Sequence, residues 1–180
     1  LEARVREQRP DVVYLPNGVD DVFFAPPAGD DAWVESFPRP RVVFAGTLGD
    51  WVDYEAVAEA ARRVPRASFL LVGPGQPATR TAFPPNVKLT GAVPYHRLPA
   101  VIHACDAGIV PFRRTPRTEA ASSNKLLQYL AAGLPVVASR TAEIELTRAP
   151  VAVCDSPEEF AGAVASALDD PHTGRDERIE

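Results

Sequence analysis

The sequence predicts an α/β domain built on a doubly wound parallel sheet, and three observations carry that expectation. Apolar strand-like segments alternate with segments of helical periodicity along the whole chain. The strand-like segments are continuous apolar runs rather than alternating ones, the pattern of strands covered on both faces. Several of them stop at a glycine, at Gly46, Gly73 and Gly91, where a chain leaving a strand can turn sharply. Together these predict a Rossmann-like sheet of about six strands with helices on both faces, in which ligands bind beyond the carboxyl ends of the strands.

Taken in order, LEARVREQRP (1–10) reads as the end of a helix closed by Pro10. DVVYL (11–15) reads as a short strand stopped by Pro16-Asn17-Gly18. Residues 20–40, rich in Pro, Asp and Gly, read as a surface loop. RVVFAG (41–46) is a buried-type strand, and DYEAVAEAARRV (53–64) has helical spacing and strong helix formers. SFLLVG (68–73) and NVKLTG (86–91) are further strands. HRLPAVIHAC (96–105) reads as a short helix with Pro99 in its first turn, where proline is tolerated. AGIVPF (107–112) is a strand, and residues 113–121 read as a polar, basic loop. SNKLLQYLAAG (123–133) is a helix closed by glycine. LPVVAS (134–139) and PVAVC (150–154) are strands, with Glu143 and Glu145 in a solvated turn between them. SPEEFAGAVASALDD (156–170) opens as a helix should, with Ser156 as cap, Pro157 at the first position and acids facing the positive end of the dipole. The tail PHTGRDERIE is expected to fray. With no internal repeat and no long linker, residues 1–180 are expected to form a single domain.

Composition excludes several classes. Hydrophobic residues make up 46% and charged residues 24%, an ordinary globular balance. A formal net charge of -5 argues against a nucleic-acid partner, which selects a basic face. Cys105 and Cys154 sit in apolar runs and read as free buried thiols, and the two cysteines and three histidines show no metal-ligand spacing. No apolar run approaches the roughly 20 residues that span a bilayer, and no secretory leader opens the chain. The expected location is therefore cytoplasmic. The chain contains no methionine, even at position 1, and so reads as a piece of a longer protein.

Chemistry is concentrated in RRTPRTEAASSNKLLQYLAAG (113–133). A basic loop runs into Ser122-Ser123-Asn124 and then a helix whose first amides would favour an anion. Lys125 falls in the first turn, an unfavourable place for a cation unless something negative joins it. That conflict points to phosphate; the alternative is a capped helix with a solvated lysine. The turn GTLGDWVD (46–53) lets a ligand approach the backbone, although it matches neither a Gly-x-Gly-x-x-Gly pattern nor a P-loop. Tyr95 and His96 suit either a helix start or stacking on a base, and His103 reads as structural. No nucleophile–base set assembles, so no catalytic residue is assigned.

In order along the chain, YLPNGVD, VVFAGTLGDWVDYEAV, SFLLVGPG, NVKLTGAVPYHRLPAVIHACDAGIVPF and SSNKLLQYLAAGLPVVAS resemble the C-terminal, donor-binding domain of GT-B glycosyltransferases of the family-4, or group-1, type. The resemblance implies one half of a GT-B fold, with the N-terminal acceptor domain absent from this chain. It implies a donor site for a UDP- or GDP-linked sugar, which is a substrate, with no cofactor and no metal. Transfer would be retaining and would serve cell-surface polysaccharide or glycolipid synthesis; any peripheral membrane association would come through the absent half. Lys125 would contact the donor diphosphate together with Ser122, Ser123 and Asn124. Gly46 and Thr47 would border the diphosphate, Val93, Pro111 and Phe112 would lie near the nucleobase, and Gln128 would face the ribose.

Three departures stand out. Gln128 replaces the family's ribose-gripping carboxylate, and an amide has one acceptor oxygen where a carboxylate has two. Ala120 occupies the place of the earlier paired glutamate, with Glu119 one residue off. The glycine turn lacks basic residues, for which Arg113, Arg114 or Arg117 could substitute. The isolated chain is expected to bind a nucleotide weakly and to transfer no sugar. The alternatives are a non-catalytic nucleotide-binding or interaction module with a degraded donor site, half of a nucleotide-sugar epimerase or phosphorylase, and a doubly wound domain of another class.

Overall fold

A computed structural model describes all residues except 1, 14, 16, 28–31, 78–80, 122, 147, 148 and 171–180. Among them lie a helix α1 (Glu2–Gln8), a short helix α2 (Ala32–Glu35), strand β1 (Arg41–Ala45), helix α3 (Tyr54–Arg63) and strands β2 (Ser68–Val72) and β3 (Val87–Gly91). They are followed by helix α4 (Leu98–His103), strand β4 (Ala107–Val110), helices α5 (Pro116–Glu119) and α6 (Asn124–Ala131), strand β5 (Val136–Ser139), helix α7 (Ala142–Leu146), strand β6 (Val151–Cys154) and helix α8 (Pro157–Asp169).

The six strands form one parallel sheet in the order β3-β2-β1-β4-β5-β6. The chain starts at the centre, winds outward to β3, returns to β4 and winds outward the other way. Right-handed crossovers place α3 on one face and α4 and α6 on the other. α8 closes the structure by packing on α3 and on β4–β6, while α6 covers β4 and β5. The expected doubly wound sheet with helices on both faces is thus present. Strands β1 and β2 are buried at every position, as continuous apolar runs require. Phe44, Phe69, Leu70, Leu71 and Ile109 are fully enclosed, each worth about 1.5–3 kcal/mol on burial.

The helices start and stop for local reasons. Asp53 caps α3, its carboxylate accepting from the N–H groups of Glu55 and Ala56. Asn86 closes the far end, donating its amide to the carbonyls of Ala61, Val64 and Ala67. Ser156 caps α8 through Glu159 N–H, with Pro157 at the first position as expected. At the amino edge of the sheet the Arg41 guanidinium is 5% exposed. It donates to the carbonyls of Phe37, Ala104 and Glu35, which satisfies the charge by main chain alone.

Several expectations are corrected. Residues 11–13 and 15 form no strand; Val13 is 86% and Leu15 88% exposed. A β-branched run becomes a strand only by pairing, and the edges of this sheet are β3 and β6. Residues 20–40 are more than a surface loop: they carry a 3-10 turn at Asp21–Phe23 and helix α2, and both Phe23 and Val34 are fully buried. The basic loop 113–121 contains α5, opened by a capping box between Thr115 and Thr118 with Pro116 at its first position. Glu145 lies on α7 rather than in a turn and pairs with Arg140. The frayed tail expected at 171–180 lies outside the described residues.

Candidate functional site

Strands β1 and β4 are neighbours, yet only Val42–Ala107 and Val43–Gly108 are in register between them. Beyond that point they splay apart at the carboxyl edge, where the direction of winding reverses and ligands bind in such sheets. The Ala45 N–H, lost to the ladder, donates instead to the Tyr129 hydroxyl at 2.7 Å. Tyr129 is fully buried on α6, and burial pushes its phenol well above the ordinary range. Its ring also occupies the space over Gly108, where a Cβ would come within 2.5 Å. One bond and one packed ring therefore key α6 to the centre of the sheet.

Lys125 lies one helical turn before Tyr129, so the same anchor delivers it to the crevice. A Cβ on Gly46 would meet Lys125 Cε at 2.7 Å and Nζ at 3.0 Å. The ammonium lies 5.1 Å from the centroid of the Phe112 ring and 5.4 Å from that of Phe44. Those two rings meet edge to face with centroids 6.5 Å apart. Their faces offset part of the repulsion between Lys125 and the positive end of α6. Ser123 is the N-cap residue; it makes no side-chain capping bond, and its carbonyl accepts from Leu126 N–H at 3.1 Å. Ser122, expected beside it, lies outside the described residues.

The turn after β1 is fixed at both ends. Gly46 N–H donates to Val72 O and Leu48 N–H to Pro74 O, joining it to the exit of β2. Asp53 N–H donates to Pro111 O and Arg113 N–H to Trp51 O, joining it to the exit of β4. The Tyr54 hydroxyl donates to Gly49 O from beneath. Beside Gly46 stands Gly73, whose N–H in turn donates to Gly91 O. Three glycines thus form a flat shelf along the carboxyl ends of β1, β2 and β3.

The structure brings Gly46, Pro111, Phe112 and Lys125 together at the crevice and places Thr47 exposed on the same turn. Asn124 is the exposed first residue of α6, and Gln128 lies half-buried one turn along it. Val93 is apart from them, half-buried beyond the end of β3, which lies two strands from β1 and three from β4. His103 is structural as expected, its Nε2 donating to Phe23 O at 3.0 Å. Both cysteines are buried free thiols, and burial pushes Cys105 up to about 12 and Cys154 to about 11.

Sequence reasoning missed Tyr129, Trp51 and the true position of Glu119. The Glu119 carboxylate accepts from Ala142 N–H at the start of α7 and from Arg114 Nε. Those two contacts, the main-chain one first, hold it below the usual carboxylate range. It is a tether between α5 and α7. A separate cleft of about 120 Å³ opens between the N-termini of α3 and α8, lined by Arg113, Arg114, Arg140, Asp53 and Asp155. It shares only Phe112 with the Lys125 cluster. Its cations are largely answered, Arg114 by Glu119 and Arg140 by Asp155 and Glu145. Among the described residues, no group of three His, Cys, Asp or Glu could hold a metal ion, and no helix is long and apolar enough to cross a membrane.

Tyr129→Phe is expected to lower stability by about 1–3 kcal/mol, because it leaves the buried Ala45 N–H unpaired. Thermal unfolding followed by circular dichroism should show a lower midpoint; an unchanged midpoint would remove the anchor.

Residues 39–170 match the family model of the group 1 glycosyl transferases. The chain belongs to that family. This group 1 domain is 30% identical over 134 residues to TuaH of Bacillus subtilis (strain 168), a putative teichuronic acid biosynthesis glycosyltransferase; the match covers 69% of this chain and 34% of TuaH. The fold is shared with HepE of Anabaena, solved in complex with UDP-glucose, at a TM-score of 0.66 and 19% identity over 91% of this chain and 49% of that one. It is likewise shared with WaaG, a glycosyltransferase involved in lipopolysaccharide biosynthesis, at a TM-score of 0.68 and 15% identity over 92% and 50%. The chain thus spans about a third of TuaH and about half of each solved relative. The domain has the doubly wound fold of one half of a GT-B structure.

Proposed function

We propose that this group 1 domain is the C-terminal, donor-binding half of a glycosyltransferase that moves a sugar from a nucleotide sugar to an acceptor. The observation that carries the reading is the seating of Lys125 against Gly46 at the point where β1 and β4 part. A diphosphate lying on the glycine shelf would meet that ammonium and the first amides of α6. As the sugar bond breaks, negative charge grows on the departing diphosphate. A cation and amides already in place stabilise it without reorganising. The nucleoside would then extend along the shelf toward Val93, with Gln128 near the ribose and Pro111 and Phe112 walling the crevice.

The resemblance to retaining enzymes supports a retaining outcome that needs no bound metal. UDP is the first donor nucleotide to test, because HepE was solved with UDP-glucose. The kinship with TuaH and WaaG supports a role in cell-surface polysaccharide or glycolipid synthesis. The acceptor half would precede this domain, and any contact with a membrane would come through it. The Gln128 and Ala120 departures favour the second reading, a nucleotide-binding module that has lost transfer.

The experiment is a titration of the chain with UDP, GDP and their sugars, followed through amide shifts. Shifts centred on residues 46–47 and 123–128, and reaching Val93 and Phe112, are expected, with weak affinity and no sugar transfer by the chain alone. If no nucleotide moves those amides, the donor-site reading falls.

A further inference from the structure

The donor-site reading leaves a charge imbalance, and the inference that follows rests on that reading. A nucleoside diphosphate brings more than one negative charge, while the turn it would lie against, GTLGDWVD, contains two aspartates and no basic residue. Lys125 answers the charge at one end of that turn. At its other end lies a second cation from the same segment of chain. Arg117, on α5, has its guanidinium carbon 4.2 Å from the centroid of the Trp51 ring. Trp51 is itself fixed: its carbonyl accepts from Arg113 N–H at 2.8 Å. Its ring fills the space over Gly49, where a Cβ would come within 2.3 Å.

The other arginines of the loop point elsewhere. Arg113 and Arg114 line the cleft between α3 and α8, and Arg114 is paired with Glu119. Thr118, one residue past Arg117, is 3% exposed and donates its hydroxyl to Arg113 O, so α5 has a fixed orientation over the turn. A guanidinium held over an indole face still directs N–H groups outward, and a pair of them matches two phosphate oxygens. The stack also holds a long side chain still before the anion arrives.

We infer that Arg117 is a second cation for the donor diphosphate, acting at the Trp51 end of the glycine turn, and that Trp51 is the residue that positions it. The guanidinium selects for phosphate number: it favours a nucleoside diphosphate over a monophosphate, and Lys125 alone serves both.

The test is calorimetric titration of the chain with UDP, UMP and uridine, or the guanine series if that base is preferred, for wild type, Arg117→Ala, Arg117→Lys, Trp51→Leu and Trp51→Phe. Arg117→Ala should weaken UDP binding about 10-fold, the scale of one charge-assisted contact, with a much smaller effect on UMP and none on uridine. Arg117→Lys should recover part of the loss. Trp51→Leu should copy Arg117→Ala, and Trp51→Phe should stay close to wild type. Unchanged UDP affinity in Arg117→Ala, beside a loss in Lys125→Ala, would overturn this inference and leave the donor site standing. An equal loss for UDP and uridine would overturn it too, since that marks general damage to the turn. Absence of nucleotide binding by the wild-type chain would sink both the inference and the reading beneath it.

Discussion

Gly73→Ala is expected to destabilise this domain by about 3 kcal/mol or more. A Cβ at Gly73 would stand 2.0 Å from the carbonyl oxygen of Gly46 and 2.6 Å from its carbon, at a φ of +154°. Both obstacles are main chain. Relief requires β1 and β2 to separate at their carboxyl ends, where Gly46 N–H donates to Val72 O. For a domain of this size each kcal/mol lowers the midpoint by about 2–4 °C, so thermal unfolding should shift by roughly 6–12 °C or more. Gly162, in the interior of α8 with nothing within 4 Å of a new Cβ, supplies the contrast. There the same substitution should gain about 0.5–1 kcal/mol. A Gly73→Ala variant as stable as wild type would mean that the two strand ends are not in contact.

Lys125→Ala is expected to weaken UDP or GDP binding by about 30-fold, equivalent to roughly 2 kcal/mol for one charge-assisted contact to phosphate. Its signature is a large loss of binding with only a small loss of stability. Removing a cation from the first turn of α6 relieves about 0.3–1 kcal/mol of repulsion. The lost contacts with the Phe44 and Phe112 rings, about 0.5–1 kcal/mol each, outweigh that gain by only about 1 kcal/mol. The unfolding midpoint should therefore move little while calorimetric affinity collapses, the reverse of the Gly73→Ala pattern. A variant that binds nucleotide as tightly as wild type would remove Lys125 from the site.

Which of these features can be read from sequence depends on how far apart their causes lie. α3 and α8 are visible because cap, first-turn residues and apolar spacing sit within one segment. The strands are visible because burial on both faces leaves a continuous apolar run. Lys125 is visible because its conflict with the helix dipole is local. By contrast, Tyr129 and its partner Ala45 are 84 residues apart, and nothing near position 129 marks that tyrosine among the other core residues. Trp51 and Arg117 are tied only through tertiary structure, and Glu119 through a bond to Ala142. Helix α5 had a local signal in Thr115-Pro116-Arg117-Thr118, but three arginines across residues 113–117 read more strongly as loop. Residues 11–13 and 15 carry strand chemistry without a strand partner, and chemistry without a partner does not make a sheet.

The splay between β1 and β4 has a further consequence. Tyr129 holds it from one side, while the turn is bonded to the exits of β2 and β4 from the other. Gly46, Phe112 and the helix that carries Lys125 are thereby placed when the domain folds, by contacts that do not involve a guest. A nucleotide arriving there meets a rigid mould. Its association should resemble docking onto a solid surface, with small changes in heat capacity and little ordering of the chain. Affinity would then be set by how well the guest fits the mould.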